Sequence, residues 1–242
     1  MFQWTAILCT VLCAAMAYLL GSCSFAIIVT RLLYHQDIRT YGSGNAGMTN
    51  VLRTFGKGAA ALTIIGDIGK GVVAVLLTKL VFLTFVPGGE LYGAYIAAFC
   101  AVIGHIYPLY FGFKGGKAVS VAAGTILAIK PILFLPILAV FLIVFLLCRM
   151  VSLGSICAAV AYPVSTCIYF SIIGGDAVLT TICAAIIAGL VIWMHRSNIG
   201  RILAGTEYKF DGKHKKSVQQ QTAPDAAKNA DAADALQEKK HE

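Results

Sequence analysis

Long apolar stretches alternate with short polar strings along most of the chain. Many of the apolar stretches approach or exceed 20 residues, the length with which a helix crosses about 30 Å of hydrocarbon. The pattern therefore predicts an all-α, polytopic membrane protein with about seven transmembrane helices, at Trp4–Tyr34, Gly58–Val86, Leu91–Tyr110, Ala118–Ile129, Pro131–Leu147, Leu153–Ile173 and Ala177–Met194. The fourth stretch is short, so we expect it to start deep in the membrane or to be partly re-entrant.

The pattern changes near Asp211, where Ala, Lys, Asp and Gln replace the apolar runs. Almost no large apolar side chain follows Val218, and such a segment cannot bury a core. We therefore expect two parts, a membrane domain over residues 1–208 and a polar, disordered cytoplasmic tail over residues 209–242. No chemistry is assigned to the tail.

Composition agrees with a membrane protein, because 59% of the residues are hydrophobic and only 12% are charged, against about 25% charged in a soluble domain. Residues 1–208 carry 12 Lys and Arg against 5 Asp and Glu, an excess of seven positive charges. These cations lie in short loops rather than on a soluble face, so nucleic acid is not an expected partner.

The placement of Lys and Arg predicts the orientation of the chain. They concentrate after the first, third, fifth and seventh predicted spans, and positive loops usually lie in the cytoplasm. We therefore expect the N-terminus outside and the C-terminus in the cytoplasm, which an odd number of spans also requires.

The eight cysteines lie in the apolar runs or near their ends, without a CxxC pair or a Cys/His set at zinc spacing. They are expected to be buried thiols rather than disulfides or metal ligands. No GxxxxGK[ST] sequence occurs, so ATP is not an expected ligand.

Three polar strings are predicted on the cytoplasmic side, and all three are rich in glycine and cations. They are GSGNAGMTNVLR at residues 42–53, GHIYPLYFGFKGGK at 104–117 and HRSNIGRILAGTE at 195–207. Glycine lets successive N–H groups point at one oxyanion, and Arg53 can grip a phosphate with two bonds. His195, Asn198 and Arg201 fall on one helix face. Together the strings predict a site for an anionic, phosphorylated molecule.

Each string taken alone also fits a simpler interpretation: a flexible turn, a positive-inside anchor, or an interfacial helix end that binds lipid head groups. Asp67 and Lys70 in the second span could form a structural ion pair or serve function. His105 could act as a base or cap a helix, and a ligand bond from Ser152 or Ser155 has weak support.

The three strings resemble the signature segments of the bacterial acyl-phosphate:glycerol-3-phosphate acyltransferases, the PlsY family, over about Leu19–Tyr208. The resemblance implies a multi-pass enzyme of the bacterial inner membrane with its active site on the cytoplasmic face. Such an enzyme transfers a fatty acyl group from acyl phosphate to the 1-hydroxyl of glycerol 3-phosphate, giving lysophosphatidic acid and phosphate for phospholipid synthesis. Its expected partners are these two substrates and membrane lipids, with no cofactor or metal.

The resemblance also assigns the site. It implies catalytic roles for Asn45, Lys117, His195 and Asn198. It implies substrate contacts for Ser43, Gly44, Gly47, Asn50, Arg53, Lys114, Gly115, Gly116, Ser152, Ser155 and Arg201, with Glu207 following in the third motif. The chain departs from the family pattern at Cys23-Ser24, where Pro is common, and at Met194, where a basic residue is common.

The source of general-base catalysis stays open between His195, His105 and the leaving phosphate. We favour the phosphate, because no Ser-His-Asp or Cys-His set stands out. The alternative function is a membrane transporter of a phosphorylated solute. Transporters, however, tend to place polar sites near the bilayer midplane between repeats, and the chain shows no internal repeat.

Overall fold

A computed structural model describes residues 2–210, which contain ten α-helices and no strand. The predicted tail from Asp211 onward lies outside the described residues. Two 3-10 turns, Ile38–Thr40 and Leu109–Phe111, accompany the helices. The helices are α1 (Phe2–Ser22), α2 (Phe25–Tyr34), α3 (Met48–Phe55), α4 (Lys57–Phe85), α5 (Glu90–Ile106), α6 (Val119–Ile129), α7 (Pro131–Cys148), α8 (Val151–Ile173), α9 (Ala177–Met194) and α10 (Arg196–Leu203).

Six helical stretches are long and apolar enough to cross a membrane, at Gln3–Tyr34, Lys57–Phe85, Glu90–Phe111, Pro131–Cys148, Val151–Ile173 and Ala177–Met194. The predicted all-α, multi-pass membrane fold is confirmed, and these six spans match six of the seven predicted ones within a few residues. The remaining prediction corresponds to α6, whose 11 residues rise about 16 Å, roughly half the hydrocarbon thickness. Protein surrounds this short helix, because seven of its eleven residues are buried and α6 packs against α4, α5 and α7.

The first predicted span is broken into α1 and α2 at Cys23 and Ser24. A helix break leaves carbonyls without their usual intrahelical partners, which is costly inside a membrane unless another donor replaces them. Here the Lys70 ammonium on α4 donates to the Cys23 carbonyl at 2.8 Å.

Small residues let the central helices approach closely. On the face of α5 that meets α1, Ala94, Ala97, Ala98 and Ala101 are all fully buried. A Cβ added to Gly104 would overlap the Tyr18 carbonyl oxygen of α1. Packing of this kind replaces the hydrophobic driving force that is missing between helices in lipid.

Large apolar side chains cover the outer surface of the long helices. Trp4, Leu83, Leu147, Ile172 and Val178 are each more than half exposed. On a soluble protein such a surface would be an aggregation site. On a membrane protein it is the surface that contacts lipid, so the bundle turns its small residues inward and its bulky residues outward.

We expect Gly104→Ala to destabilise the bundle by roughly 1–3 kcal/mol, because the added methyl group meets backbone that cannot move aside. The matched control is Gly69→Ala on α4, where an added Cβ meets no atom within 4 Å and helix propensity rises slightly. Thermal unfolding in detergent measures both variants. Equal melting temperatures for the two would contradict the close α1–α5 packing.

Candidate active site

The three polar strings meet at one cavity of about 570 Å³. Its polar lining lies close to the loops and includes Ser43, Asn45, Gly47, Asn50, Arg53, Lys117, Ser152, Ser155, His195, Asn198, Arg201 and Glu207. Its apolar lining continues along the helices. On α8, Ala158, Ala159 and Tyr162 follow Ser155, so this wall extends about 10 Å past the serine. The cavity therefore joins a polar end to an apolar chamber.

The first string forms a tight loop before α3, with Gly42 and Gly44 at φ values of 56° and 69° that favour glycine. Asn50 fixes the loop from the inside. Its amide donates to the carbonyls of Ile38, Tyr41 and Asn45, and its oxygen accepts from the Ser43 N–H. The Asn50 side chain is therefore committed to loop structure, although the residue also lines the cavity.

An ion-pair clamp that the sequence analysis missed joins the first and second strings. Asp37 accepts hydrogen bonds from the side chains of Arg31 and Arg39. The Arg39 bonds hold the pKa of Asp37 well below its usual range. Arg39 also donates to the carbonyls of Phe111 at 2.6 Å and Lys114 at 3.2 Å. The only sequence signal was a pair of arginines around an aspartate, which is common on surfaces.

In the second string, the two glycines serve packing. Gly115 N–H donates to the Ile106 carbonyl and Gly116 N–H donates to the His105 carbonyl, each at 3.1 Å. Added Cβ atoms would overlap the His105 carbonyl at Gly115, and the His105 ring and Ala46 carbonyl at Gly116. Both N–H groups are therefore used inside the protein.

The two lysines of this string face different surroundings. Lys117 lines the cavity and donates to Asn198 Oδ1. Lys114 is exposed and borders a separate surface depression together with Gly44 and Gly115. The structure thus brings most of the predicted site residues together at the cavity, and leaves Gly44, Lys114, Gly115 and Gly116 out of its lining.

Glu207 organises the third string. Its carboxylate accepts hydrogen bonds from Ser152 Oγ at 2.6 Å, Asn198 Nδ2 at 2.6 Å and Arg201 Nε at 2.7 Å. Its side chain is only 4% exposed. Burial alone would raise the pKa of Glu207, but these bonds outweigh burial and lower the pKa. Sequence reasoning saw Glu207 only as a counter-ion that could orient one cation.

The two predicted serines differ in their partners. Ser152 holds Glu207, whereas Ser155 Oγ donates to the Val151 carbonyl of its own helix at 2.8 Å. Both are buried and line the cavity. Ser152 is thus tied into the charged network, and Ser155 is satisfied locally.

His195 lies between α9 and α10 and is buried. Its Nδ1 lies 2.7 Å from the Val191 carbonyl oxygen, which can only accept a hydrogen bond. The ring therefore carries its proton on Nδ1 and a lone pair on Nε2. Burial lowers the pKa of His195 to about 4, so the ring is neutral at pH 7 and is a weak base.

Arg53, Lys117 and Arg201 give the polar end a cationic character that Glu207 only partly balances. The Arg53 guanidinium lies 3.6 Å from the centre of the Tyr208 ring, and its buried Nε has no hydrogen-bond partner within residues 2–210. Burial, assisted by the Arg201 charge, lowers the pKa of Lys117 to about 8. Desolvated cations with unused donors form a site that suits an anion.

The Asp67–Lys70 pair forms the predicted ion pair, at 2.8 Å, and both side chains are almost fully buried. His105 joins them, with its Nδ1 2.9 Å from Lys70 Nζ. Asp67 and His105 also line the cavity. All eight cysteines are free, but the expectation of burial holds only for Cys9 and Cys13: five others are half-buried and Cys167 is exposed.

Comparison with known proteins gives consistent results. The family model for glycerol-3-phosphate acyltransferase matches residues 11–205. A glycerol-3-phosphate acyltransferase of Clostridioides difficile (strain 630) is 43% identical over 204 residues, covering 84% of this chain and 96% of the relative. One of Paraburkholderia phymatum is 44% identical over 202 residues, covering 84% and 93%.

Two solved structures are also similar, both of PlsY, an integral membrane glycerol 3-phosphate acyltransferase. The glycerol 3-phosphate form is 35% identical with a TM-score of 0.73, covering 84% of this chain and 96% of that one. The lysophosphatidic acid form is 34% identical with a TM-score of 0.71, covering 84% and 95%. The similarity spans nearly the whole of each relative.

We expect Glu207→Gln to destabilise the protein by roughly 3 kcal/mol, because it removes the buried counter-charge of a cationic site. The pKa of Glu207 is lowered in the folded protein, so its charge stabilises the fold above the ordinary carboxyl range. That contribution is lost as the pH falls through the lowered pKa. The difference in melting temperature between wild type and Glu207→Gln should therefore be large at pH 7 and shrink below about pH 4.

The control for this comparison is Glu90→Gln, which changes a carboxylate that accepts one exposed hydrogen bond from Gly88. It should leave the melting temperature nearly unchanged. A Glu207→Gln difference that did not vary with pH would show that shape, rather than charge, is what Glu207 supplies.

Proposed function

The chain belongs to the glycerol-3-phosphate acyltransferase family, and we propose that it transfers a fatty acyl group from acyl phosphate to the 1-hydroxyl of glycerol 3-phosphate. The products are lysophosphatidic acid and inorganic phosphate. The observation that carries this proposal is a cavity that has both a cationic end and an apolar chamber. A phosphorylated donor with a long hydrocarbon tail needs both environments side by side.

Glycerol 3-phosphate is assigned to the cationic end. Arg53 and Lys117 bind its phosphate, with Asn198 beside them and His195 at the wall. Arg53 offers a buried Nε–H that no described residue accepts. Lys117 already donates to Asn198 Oδ1, which aims its ammonium into the polar end. The neutral His195 has an acceptor at Nε2 and so suits a substrate hydroxyl better than a phosphate.

Acyl phosphate is assigned to the first loop and the chamber behind it. Ser43, Asn45 and Gly47 border the cavity beside Lys117, where donors can stabilise the oxyanion that develops on the carbonyl. The tail lies in the apolar chamber. In this proposal Asn50, Gly115 and Gly116 shape the loops, and Lys114 contacts neither substrate.

The reaction needs no covalent enzyme intermediate. The 1-hydroxyl oxygen bonds to the acyl carbon, the bond from that carbon to the phosphate oxygen breaks, and the hydroxyl proton ends on the leaving phosphate. The mixed anhydride is already activated, so holding the two substrates in contact supplies most of the rate. The lowered pKa of His195 argues against a strong general base at that position.

The cavity mouth is proposed to face the cytoplasm of a bacterial inner membrane. The support is the excess of Lys and Arg in the loops that border the mouth. That side also holds soluble glycerol 3-phosphate. Because the surrounding helices expose apolar side chains, we expect the apolar chamber to lie at the depth of the acyl chains.

The direct test supplies acyl phosphate and glycerol 3-phosphate to the purified protein, without added metal or coenzyme A, and follows phosphate and lysophosphatidic acid together. Both should form in equal amounts. Lys117→Ala should lower kcat/KM for glycerol 3-phosphate at least about 100-fold, because it removes a desolvated charge contact. Lys114→Ala is the matched control and should stay within about threefold of wild type, since its side chain is exposed.

Phosphate release without lysophosphatidic acid would mean that the protein hydrolyses acyl phosphate and does not transfer the acyl group to glycerol 3-phosphate. If folded protein yielded neither product, flux of labelled glycerol 3-phosphate into proteoliposomes would then test for a transporter. Equal losses in Lys117→Ala and Lys114→Ala would contradict the assignment of the cavity lysine.

The charge of Lys117 predicts the pH dependence. Its pKa is lowered to about 8, so the ammonium is present below that pH and is lost above it. The value of kcat/KM for glycerol 3-phosphate should therefore fall with an apparent pKa near 8 when measured from about pH 6.5 to 9.5. In Lys117→Arg the residual activity should lose this alkaline limb, because Arg stays charged. The same limb in both proteins would contradict the assignment.

A further inference from the structure

Lys70 on α4 is a buried cation with three close polar neighbours. Its Nζ lies 2.8 Å from Asp67 Oδ1, 2.9 Å from His105 Nδ1 and 2.8 Å from the Cys23 carbonyl oxygen. An ammonium group has three donors and no acceptor; Lys70 hydrogen-bonds to His105 and to the Cys23 carbonyl, and it forms an ion pair with Asp67. Lys70 thereby joins α4 to α5 and to the break between α1 and α2.

The same contacts set the state of His105. Since the Lys70 ammonium can only donate, His105 Nδ1 must accept, and the proton of a neutral ring lies on Nε2. Asp67 and Lys70 balance each other in charge. A balanced, hydrogen-bonded group of this kind is tolerated inside a membrane bundle, whereas an isolated charge there is costly and usually has a function.

His105 also forms one wall of the site for Gly116. The Gly116 N–H donates to the His105 carbonyl. A Cβ on Gly116 would overlap His105 Nε2 on one side and the Ala46 carbonyl of the first loop on the other. The next residue in the chain is Lys117, whose ammonium reaches Asn198.

We propose that His105, held by Lys70, is a positioning residue for Lys117. Lys70 fixes the orientation of the imidazole ring. The ring lies against Gly116, and Gly116 directly precedes Lys117, so the ring limits where the Lys117 backbone can lie. His105 acts in this way without serving as a base. The inference rests on the proposed function, in which Lys117 binds the phosphate of glycerol 3-phosphate.

Two nearly isosteric variants separate the hydrogen bond from side-chain size. His105→Asn keeps an acceptor close to the Nδ1 position, and His105→Leu removes it. We expect His105→Leu to raise KM for glycerol 3-phosphate at least about tenfold, since small displacements of binding groups are costly. KM for acyl phosphate should change little. His105→Asn should recover KM for glycerol 3-phosphate to within about threefold of wild type.

A double variant tests whether Lys70 holds His105 in place. Asp67→Asn combined with Lys70→Met removes the donor and leaves no unpaired charge. It should raise KM for glycerol 3-phosphate as His105→Leu does. The control is Thr78→Val, which alters a fully buried side chain on α4 outside the cavity lining and should change neither KM.

Action through Lys117 is tested by a double-mutant cycle on the binding of radiolabelled glycerol 3-phosphate. In a Lys117→Ala background, His105→Leu should weaken binding no further. Additive losses, or equal KM values for His105→Asn and His105→Leu, would overturn the proposal. Wild-type protein that makes no lysophosphatidic acid would instead refute the proposed function, so the two failures are distinguishable.

Discussion

The polar end of the cavity depends on one buried carboxylate. Three cations, Arg53, Lys117 and Arg201, border a cavity that continues into a hydrocarbon-like chamber, and such charges repel one another more strongly as water is excluded. Glu207 offsets that repulsion and is itself held by Ser152, Asn198 and Arg201. Because one anion serves three cations, the site keeps a positive excess. A doubly charged phosphate is attracted by that positive excess. Glu207 therefore offsets enough of the repulsion for the site to fold, and the remaining positive charge favours an anionic ligand.

The loops that carry these charges are fixed mostly by hydrogen bonds to backbone carbonyl groups. Asn50 holds the first loop, the Gly115 and Gly116 N–H groups hold the second against the end of α5, and Arg39 ties the two together. The bundle beneath supplies a rigid base, since alanine and glycine faces let its helices pack backbone to backbone. A preorganised cationic pocket on such a base can bind two phosphorylated substrates without reorganising at each turnover. The outer surface of these helices is apolar, as expected for helices that contact lipid.

The sequence was sufficient for the six long spans, because runs of apolar residues constrain membrane segments strongly. It located Ala177–Met194 with the observed bounds. It could not show the break at Cys23, which depends on a lysine 47 positions later. The three motifs were visible as glycine and charge patterns, yet their glycines fit two roles, and only contacts with Ile106 and His105 distinguish packing from ligand binding. Lys114 and Lys117 look equivalent in sequence and differ only in the direction the loop gives them. Glu207 was underrated because one of its partners, Ser152, lies 55 positions earlier in the chain.

The central claim is that both substrates occupy this cavity together and react directly. Initial-rate kinetics with both substrate concentrations varied test it most directly. Direct transfer predicts double-reciprocal lines that intersect, since both substrates must be bound before phosphate leaves. Parallel lines, with a burst of phosphate before glycerol 3-phosphate is added, would mean that the enzyme itself carries the acyl group. That result would contradict the account, because the cavity would then have to supply an activated nucleophile that none of its described hydrogen bonds provides.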